Sequence, residues 1–348
     1  MSKTSIEWCA RPGTVPETWN PTTGCNKVSR GCKFCYAEIM HRRLQAMGQE
    51  KYKQPFLAGA VEHHSYDLLT MPLSWKKPRT VFVNSMSDLF HKNISFSFID
   101  SVFAVMALAT DHTFIICTKR ADIMYEYYCA GKDALIERWS NATYEIGGDD
   151  ELDLKGLYYD EDESYAACWI SNAIPQCWPL PNVWLLVSTE DQLRANERIP
   201  LLLQTPAAVH GISCEPLIGP VDLKKWLPLD LIPGHDFDIN GEAWKGGKLD
   251  ADLQLNWVIC GGESGNKGEP MHPDWARSLR DQCNAAEIPF FFKQWGEYRP
   301  WNKNDDESKR IWFFNEPHIR TGKKNSGRVL DGREYNQFPE PLNYSVPA

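Results

Sequence analysis

Three cysteines, Cys25, Cys32 and Cys35, fall within eleven residues of the run GCNKVSRGCKFCYAE, and then the run of thiols stops. Thiolates so closely spaced bind zinc or an iron–sulfur cluster. A structural zinc site needs four protein ligands, and the candidates for a fourth, Cys9 and His41, make no second C-x2-C pair. A 4Fe–4S cluster on three cysteines leaves one iron open to the amine and carboxylate of a small molecule. The triad therefore reads better as a cluster with an open iron than as a broken zinc site. A purely structural triad is the bland alternative.

A second set of reactive residues stands where short apolar runs end. Asn84-Ser85-Met-Ser-Asp88 follows Val81-Phe-Val, and Thr118-Lys119-Arg120 follows Phe114-Ile-Ile-Cys. Ser188-Thr-Glu190-Asp191 follows Trp184-Leu-Leu-Val, and Ser213-Cys214-Glu215 follows Gly211-Ile. Gly261-Gly262-Glu263 and Lys293-Gln-Trp-Gly-Glu297 end two more runs. Singly, each is an ordinary helix cap or turn. Together they read as a polar mouth, because unpaired charges there would be costly without partners or a ligand. Gly261-Gly262 permits a close backbone approach to a ligand, with Glu263 as acceptor. Lys293, after an apolar strand, either carries a lowered pKa or pairs with Glu215 or Glu263. Cys214 is read as a hydrogen-atom donor or, the blander option, as a buried thiol.

The elements that must position these residues alternate. Candidate strands are Ser5–Trp8, Val61–His64, Thr80–Asn84, Thr113–Cys117, Val183–Ser188, Ala208–Ser213, Asn256–Cys260 and Pro289–Lys293. Candidate helices are Cys35–Met47, Tyr66–Trp75, Phe96–Thr110, Ala121–Trp139, Gln192–Gln204 and Pro273–Ala286. Alternation implies an α/β fold with a mainly parallel sheet, first choice a complete or partial (β/α) barrel of the TIM type, runner-up a doubly wound open sheet. Residues 1–295 would form the barrel, with insertions at about 140–181 and 217–255. Residues 296–348 would form a C-terminal extension with a hairpin at Asp331-Gly332.

The chain has 348 residues, a hydrophobic fraction of 43% and a net charge of −9. Eight carboxylates between Gly147 and Ser164 face one lysine, Lys155, so seven of the nine net charges sit in one solvated insertion. The near-neutral remainder, rich in tryptophan, leaves nucleic acid open as a partner. No apolar run spans a membrane and no apolar leader precedes the first strand, so a cytoplasmic protein is expected. Cysteines such as Cys117, Cys260 and Cys283 then read as small buried hydrophobes.

The run Trp19-Asn-Pro-Thr-Thr-Gly-Cys25 to Cys35-Tyr-Ala-Glu, with VNSMSDLFH, TKR, RIPLLLQTPA, SCEPLIGPVDL, WVICGGESG and FFFKQWGE, resembles a family of radical S-adenosylmethionine-like proteins common in phages and prophages. The family is distantly similar to spore photoproduct lyase. The resemblance covers most of the chain and implies a radical enzyme of isomerase or lyase type. Cys25, Cys32 and Cys35 would hold a 4Fe–4S cluster, and Phe34 would pack on the adenine of S-adenosylmethionine. Asn84, Ser85 and Asp88 would hold its methionine part, with Thr118, Lys119, Ser188, Glu190 and Glu263 around the cofactor. Lys293, Glu215 and Cys214 would be the catalytic candidates. The spacer C-x6-C-x2-C departs from the common C-x3-C-x2-C, and Gly-Gly-Glu comes late, so its usual methionine-amine role is not carried to Glu263.

The resemblance also implies a flavodoxin- or ferredoxin-like electron donor and suggests a thymine-derived nucleobase, in DNA modification or repair, as substrate. Lys119, Arg120, Lys323, Lys324 and Arg328 are candidate phosphate contacts, and Trp295 and Trp301 candidate stacking platforms. A radical enzyme on a small metabolite or peptide, and a zinc-binding nucleic-acid adaptor without enzymatic activity, are the competing readings.

Overall fold

The computed structural model describes residues 4, 6–147, 159–160, 163–227 and 254–340. Seven strands form the main sheet: β1 (Val15–Trp19), β2 (Arg79–Val83), β3 (Thr113–Thr118), β4 (Val183–Ser188), β5 (His210–Cys214), β6 (Trp257–Gly261) and β7 (Phe290–Gln294). Every pair is parallel, and the strands lie across the sheet in chain order. A doubly wound sheet reverses its strand order at a switch point, so the unreversed order sets that alternative aside. The sheet curls into a half-barrel, and no pairing joins β1 to β7 among the described residues.

Six of the seven strands coincide with β-branched and aromatic runs in the sequence. The other two expected strands are corrected. Glu7–Cys9 is a 3-10 helix, and Val61–Glu62 only makes a short antiparallel ladder with Thr22–Thr23. The first strand is β1 instead. Its polar sequence VPETW suits an edge, where Pro16 need not donate to a second neighbour and Glu17 pairs with Arg79 at 2.8 Å.

Helices α1 (Tyr36–Ala46), α2 (Phe96–Leu108), α3 (Ala121–Tyr128), α4 (Lys132–Gly147), α5 (Tyr165–Ala173), α6 (Gln192–Leu203) and α7 (Pro273–Ala285) follow or bridge the strands. The expected helix over Ala121–Trp139 is two helices, broken at Gly131, whose φ is +85°. The expected helix over Tyr66–Trp75 is a short α-turn, Tyr66–Leu69, followed by a 3-10 turn, Met71–Ser74. Much of the first expected insertion is helical, since α4 runs to Gly147 and α5 follows. Most of its acidic run, and most of the second insertion, lie outside the described residues.

Strand alternation sorts side chains into two layers. Outward residues such as Val81, Phe114, Ile116, Leu185, Ile212, Val258 and Phe290 join the helices in the large core. Inward residues build a second cluster: Ile115, Trp184, Leu186, Trp257, Ile259 and Phe291. Trp8 and Cys9 enter this cluster from the N-terminal 3-10 helix, which touches both β1 and β7. Trp8 meets Phe82 and Trp257 edge to face at 4.7 and 6.3 Å, and Phe338 lies against Trp257 from the other end of the chain. Each buried aromatic contributes roughly 2 kcal/mol, so the half-barrel has a solid floor.

After β7 come β8 (Tyr298–Pro300), β9 (Arg310–Phe313) and β10 (Glu316–Arg320), an antiparallel sheet in the order β8-β10-β9. A hairpin, β11 (Val329–Leu330) and β12 (Arg333–Glu334), turns at Asp331-Gly332, both with positive φ, as the sequence suggested. The chain around it covers the β7 edge: Phe292 N–H donates to Tyr335 O, and Arg328 Nε donates to Lys293 O at 3.1 Å.

Candidate functional site

The inward positions change character toward the C-terminal ends of the strands. Above the aromatic floor stand Cys117, Ser188, Ser213 and Gly261, all small, and then Lys293 and Glu215. These small side chains stand at the end of the sheet where parallel α/β folds carry chemistry. Lys293 Nζ lies 2.8 Å from the Glu215 carboxylate, and Gln294 Nε2 donates to Glu215 Oε1 at 3.4 Å. Burial alone would lower the Lys293 ammonium, but Glu215 outweighs it and raises it. The sequence alternative of a lowered pKa is thus corrected in favour of the ion pair.

The cysteine loop lies over this mouth. Cys25 and Cys35 are half-buried and Cys32 is buried, and Cys32 is close enough to influence the ionisation of both others. Burial first, then Asp88, pushes the Cys25 thiol up to about 11 despite Arg120, and burial also raises Cys35. Among the described residues no three His, Cys, Asp or Glu side chains are drawn together as around one metal ion. A single zinc ion needs thiolates about 3.8 Å apart, whereas an iron–sulfur cube spreads its cysteine ligands more widely. Three thiols on one loop, with Cys32 near both Cys25 and Cys35, match in number and type the donor set of such a cube.

The loop is held from beneath and from the side. Glu190 is fully buried under it; a Cβ on Gly31 would sit 3.1 Å from the Glu190 carboxyl group. Arg198 Nη1 lies 2.9 Å and Lys119 Nζ 3.7 Å from Glu190 Oε2. Burial alone would raise the Glu190 carboxyl, but Lys119 and Arg198 hold it below the usual range. Asp191 caps α6 by accepting from Arg194 N. From the side, Arg120 reaches Cys25 Sγ at 3.5 Å and Asp88 at 2.8 Å, and Thr118 Oγ1 donates to Asp88 at 2.7 Å.

Tyr36 crosses the mouth. Its hydroxyl donates to Ser85 O at 2.5 Å, while the residue as a whole is 54% exposed. The hydroxyl is raised well above its ordinary range by burial, then by Cys35, Glu215 and Cys117. Ser85 Oγ donates to Asn20 Oδ1. Asn84 is buried with a φ of +59°, and its Nδ2 has no hydrogen-bond partner among the described residues. Phe34 is half-buried, with Lys33 Nζ 4.8 Å from its ring centre.

Other residues singled out in the sequence sit elsewhere. Cys214 faces the helices: it is fully buried in the outer core beside Thr189 Oγ1, and Ser213 takes the inward position. Strand parity carried that signal, since Ile212 and Cys214 share a face. Ser188 faces inward, 3.5 Å from Cys117. Glu263 is buried and accepts from Glu269 N at 2.8 Å. The close approach permitted by Gly262 is to the protein's own backbone. A Cβ there would lie 2.0 Å from Trp295 O, so Gly262→Ala should cost about 3 kcal/mol or more, read as a lower urea midpoint. Trp295 is core, its Nε1 bonded to Val329 O, and Arg310 stacks over Trp301 at 5.0 Å. Lys323 lies 4.0 Å from Glu7, and Arg328 Nε donates to Lys293 O.

Two features escaped the sequence. Beside the cysteine loop lies a cleft of about 590 Å³ whose cations are Lys27, Lys92, Lys119, Arg120, Arg194 and Arg198, with Asp122 and Glu197 as its carboxylates. Next to Arg120, His91 is fully buried, and its Nδ1 accepts from Asn93 N. Burial, then Arg120, lowers His91 to about 4 despite Asp88. Above pH 6.5 the ring is neutral in folded and unfolded chains alike. Below it the unfolded chain binds the proton first, so stability should fall between about pH 6.5 and pH 4. Urea midpoints across that range test this, and His91→Gln should flatten the decline.

Fold and site together define an α/β protein with a parallel half-barrel and a three-cysteine loop at its C-terminal mouth. The chain belongs to the family described as "Protein of unknown function (DUF5131)", whose model matches residues 3–339. No curated protein and no solved structure matches it. Among the described residues no helix is long and apolar enough to cross a membrane.

Proposed function

We propose that the chain is a radical S-adenosylmethionine enzyme acting on a nucleobase. The observation that carries this reading is the placement of Cys25, Cys32 and Cys35 on one loop at the polar C-terminal strand ends of a parallel half-barrel. Cys25, Cys32 and Cys35 would hold a 4Fe–4S cluster, and bound there it would supply the electron for reductive cleavage of S-adenosylmethionine. The aromatic floor of Trp184, Trp257 and Trp8 keeps water from the side below the mouth. Tyr36 and Phe34 border the cofactor's side of the mouth. Lys293 as donor and Glu215 as acceptor lie 2.8 Å apart and match the alternating donor and acceptor edge of a pyrimidine.

The cationic cleft beside the loop supports a base carried on a phosphodiester strand, whose backbone would track Lys27, Lys92 and Arg194. A low-potential flavodoxin- or ferredoxin-like protein would supply the electron. The test is anaerobic reconstitution, reduction, and assay of S-adenosylmethionine cleavage with thymine-containing oligonucleotides and, separately, with small metabolites and peptides. Cleavage stimulated by oligonucleotides supports the reading. Cleavage stimulated only by a small molecule overturns the nucleobase assignment, and a colourless chain with one zinc overturns the enzyme.

A further inference from the structure

We infer that Arg120 tunes the reduction potential of the group bound at Cys25, raising it through a hydrogen bond to the Cys25 sulfur; this rests on the cluster reading above. Arg120 leaves β3 at the turn into α3 and is only 6% exposed. Its guanidinium is fixed on every side that has a partner. Nη1 lies 2.8 Å from Asp88 Oδ2 and 3.5 Å from Cys25 Sγ. Nη2 donates to Asn26 O at 3.2 Å and to Asn26 Oδ1 at 2.7 Å. The fork therefore grips the residue next to the thiol as well as the thiol itself.

Asp88 cannot turn away from this task. Oδ1 accepts from Thr118 Oγ1 at 2.7 Å and from Phe90 N at 3.1 Å, and Oδ2 accepts from Lys119 N at 3.1 Å as well as from Arg120. The four donors occupy the carboxylate, so Asp88 positions Arg120 rather than reaching a cofactor. Thr118 Oγ1 also accepts from Arg120 N at 2.9 Å, which ties the backbone to the same network. A guanidinium stays charged at any accessible pH, so the contact is permanent.

The consequence follows from charge. One-electron reduction by an added low-potential reductant places more negative charge beside Cys25 Sγ. A donor N–H on that sulfur stabilises the reduced state more than the oxidised one, and hydrogen bonds to ligand sulfurs are among the levers on cluster potential. Asp88 offsets much of the long-range charge of Arg120. What remains is short-ranged, the N–H dipole aimed at the sulfur with the positive end nearest. Arg120 is thus a positioning and tuning residue, not one that meets substrate.

The test is a redox titration followed by electron paramagnetic resonance on anaerobically reconstituted protein without S-adenosylmethionine. Arg120→Met with Asp88→Asn removes the pair without leaving a lone buried charge, and Arg120→Lys keeps the charge but loses the fork. Both should load iron and sulfide like the parent and titrate at a more negative potential, the double variant shifted further. If the double variant fails to load, Arg120→Lys must still show the negative shift. Iron-loaded variants with an unchanged or more positive potential overturn the inference and leave the cluster reading intact. A parent chain that takes up no iron and sulfide overturns both.

Discussion

Serine at Cys25, Cys32 and Cys35 together should drop the reconstituted chain from about four iron atoms to fewer than one. The change is nearly isosteric, and the three side chains rest on a loop whose supports are elsewhere. Glu190 lies beneath it at Gly31, and Arg120 holds its flank through Asn26. The thermal midpoint should therefore stay within a few degrees of the parent, while brown colour and S-adenosylmethionine cleavage disappear. Equal loss of fold and iron would mean that the thiols are structural. Iron content and thermal unfolding, measured on the same preparation, separate the two.

Glu190→Ala should be the most damaging single change near the mouth that touches no cysteine. Its carboxylate is fully buried, and Arg198, with 5% of its side chain exposed, depends on it for charge compensation. Removing one partner of a buried pair costs about 3–5 kcal/mol, a large part of the roughly 5–15 kcal/mol that holds a domain together. The damage comes from the orphaned Arg198 guanidinium, so Glu190→Leu with Arg198→Met should recover most of the loss. Urea unfolding of both variants decides the point, and a double variant no better than Glu190→Ala would refute it. The native carboxyl titrates below its ordinary value, so its contribution is present above about pH 4.3 and is lost as pH falls through the native pKa.

How far the sequence carried the fold is clearest at its two ends. The inner strands were legible because a strand covered on both faces is a short continuous apolar run, as in TFIICT and VWLLVS. β1 was not, because an edge strand with one neighbour needs less apolar surface and tolerates Pro16 and Glu17. The apolar segment at Trp8 looked more like a strand than VPETW did, yet its ring serves as a plug in the half-barrel floor. The break at Gly131 lay in plain view inside a pattern that otherwise read as one long helix.

The site was legible as a set of residues and not as a set of roles. Cys25, Cys32 and Cys35 announced themselves by spacing, and the polar strand ends by composition. Pairings came from tertiary contact across long separations. Arg120 meets Cys25 from 95 residues away, and Glu215 meets Lys293 from 78. Glu190 and Asp88 are cofactor candidates in the sequence; the fold adds their protein partners, Arg198 and Lys119 for Glu190, Thr118 and Arg120 for Asp88. Strand parity gives the face of a side chain; it does not give what covers that face.

The most direct test of the central reading is the electron paramagnetic resonance spectrum of the anaerobically reconstituted, reduced chain, recorded with and without S-adenosylmethionine. The cluster reading predicts a reduced 4Fe–4S signal that changes shape when S-adenosylmethionine is added, because the open iron takes up the ligand. A chain with no such signal and one zinc ion, or a signal indifferent to S-adenosylmethionine, would contradict it.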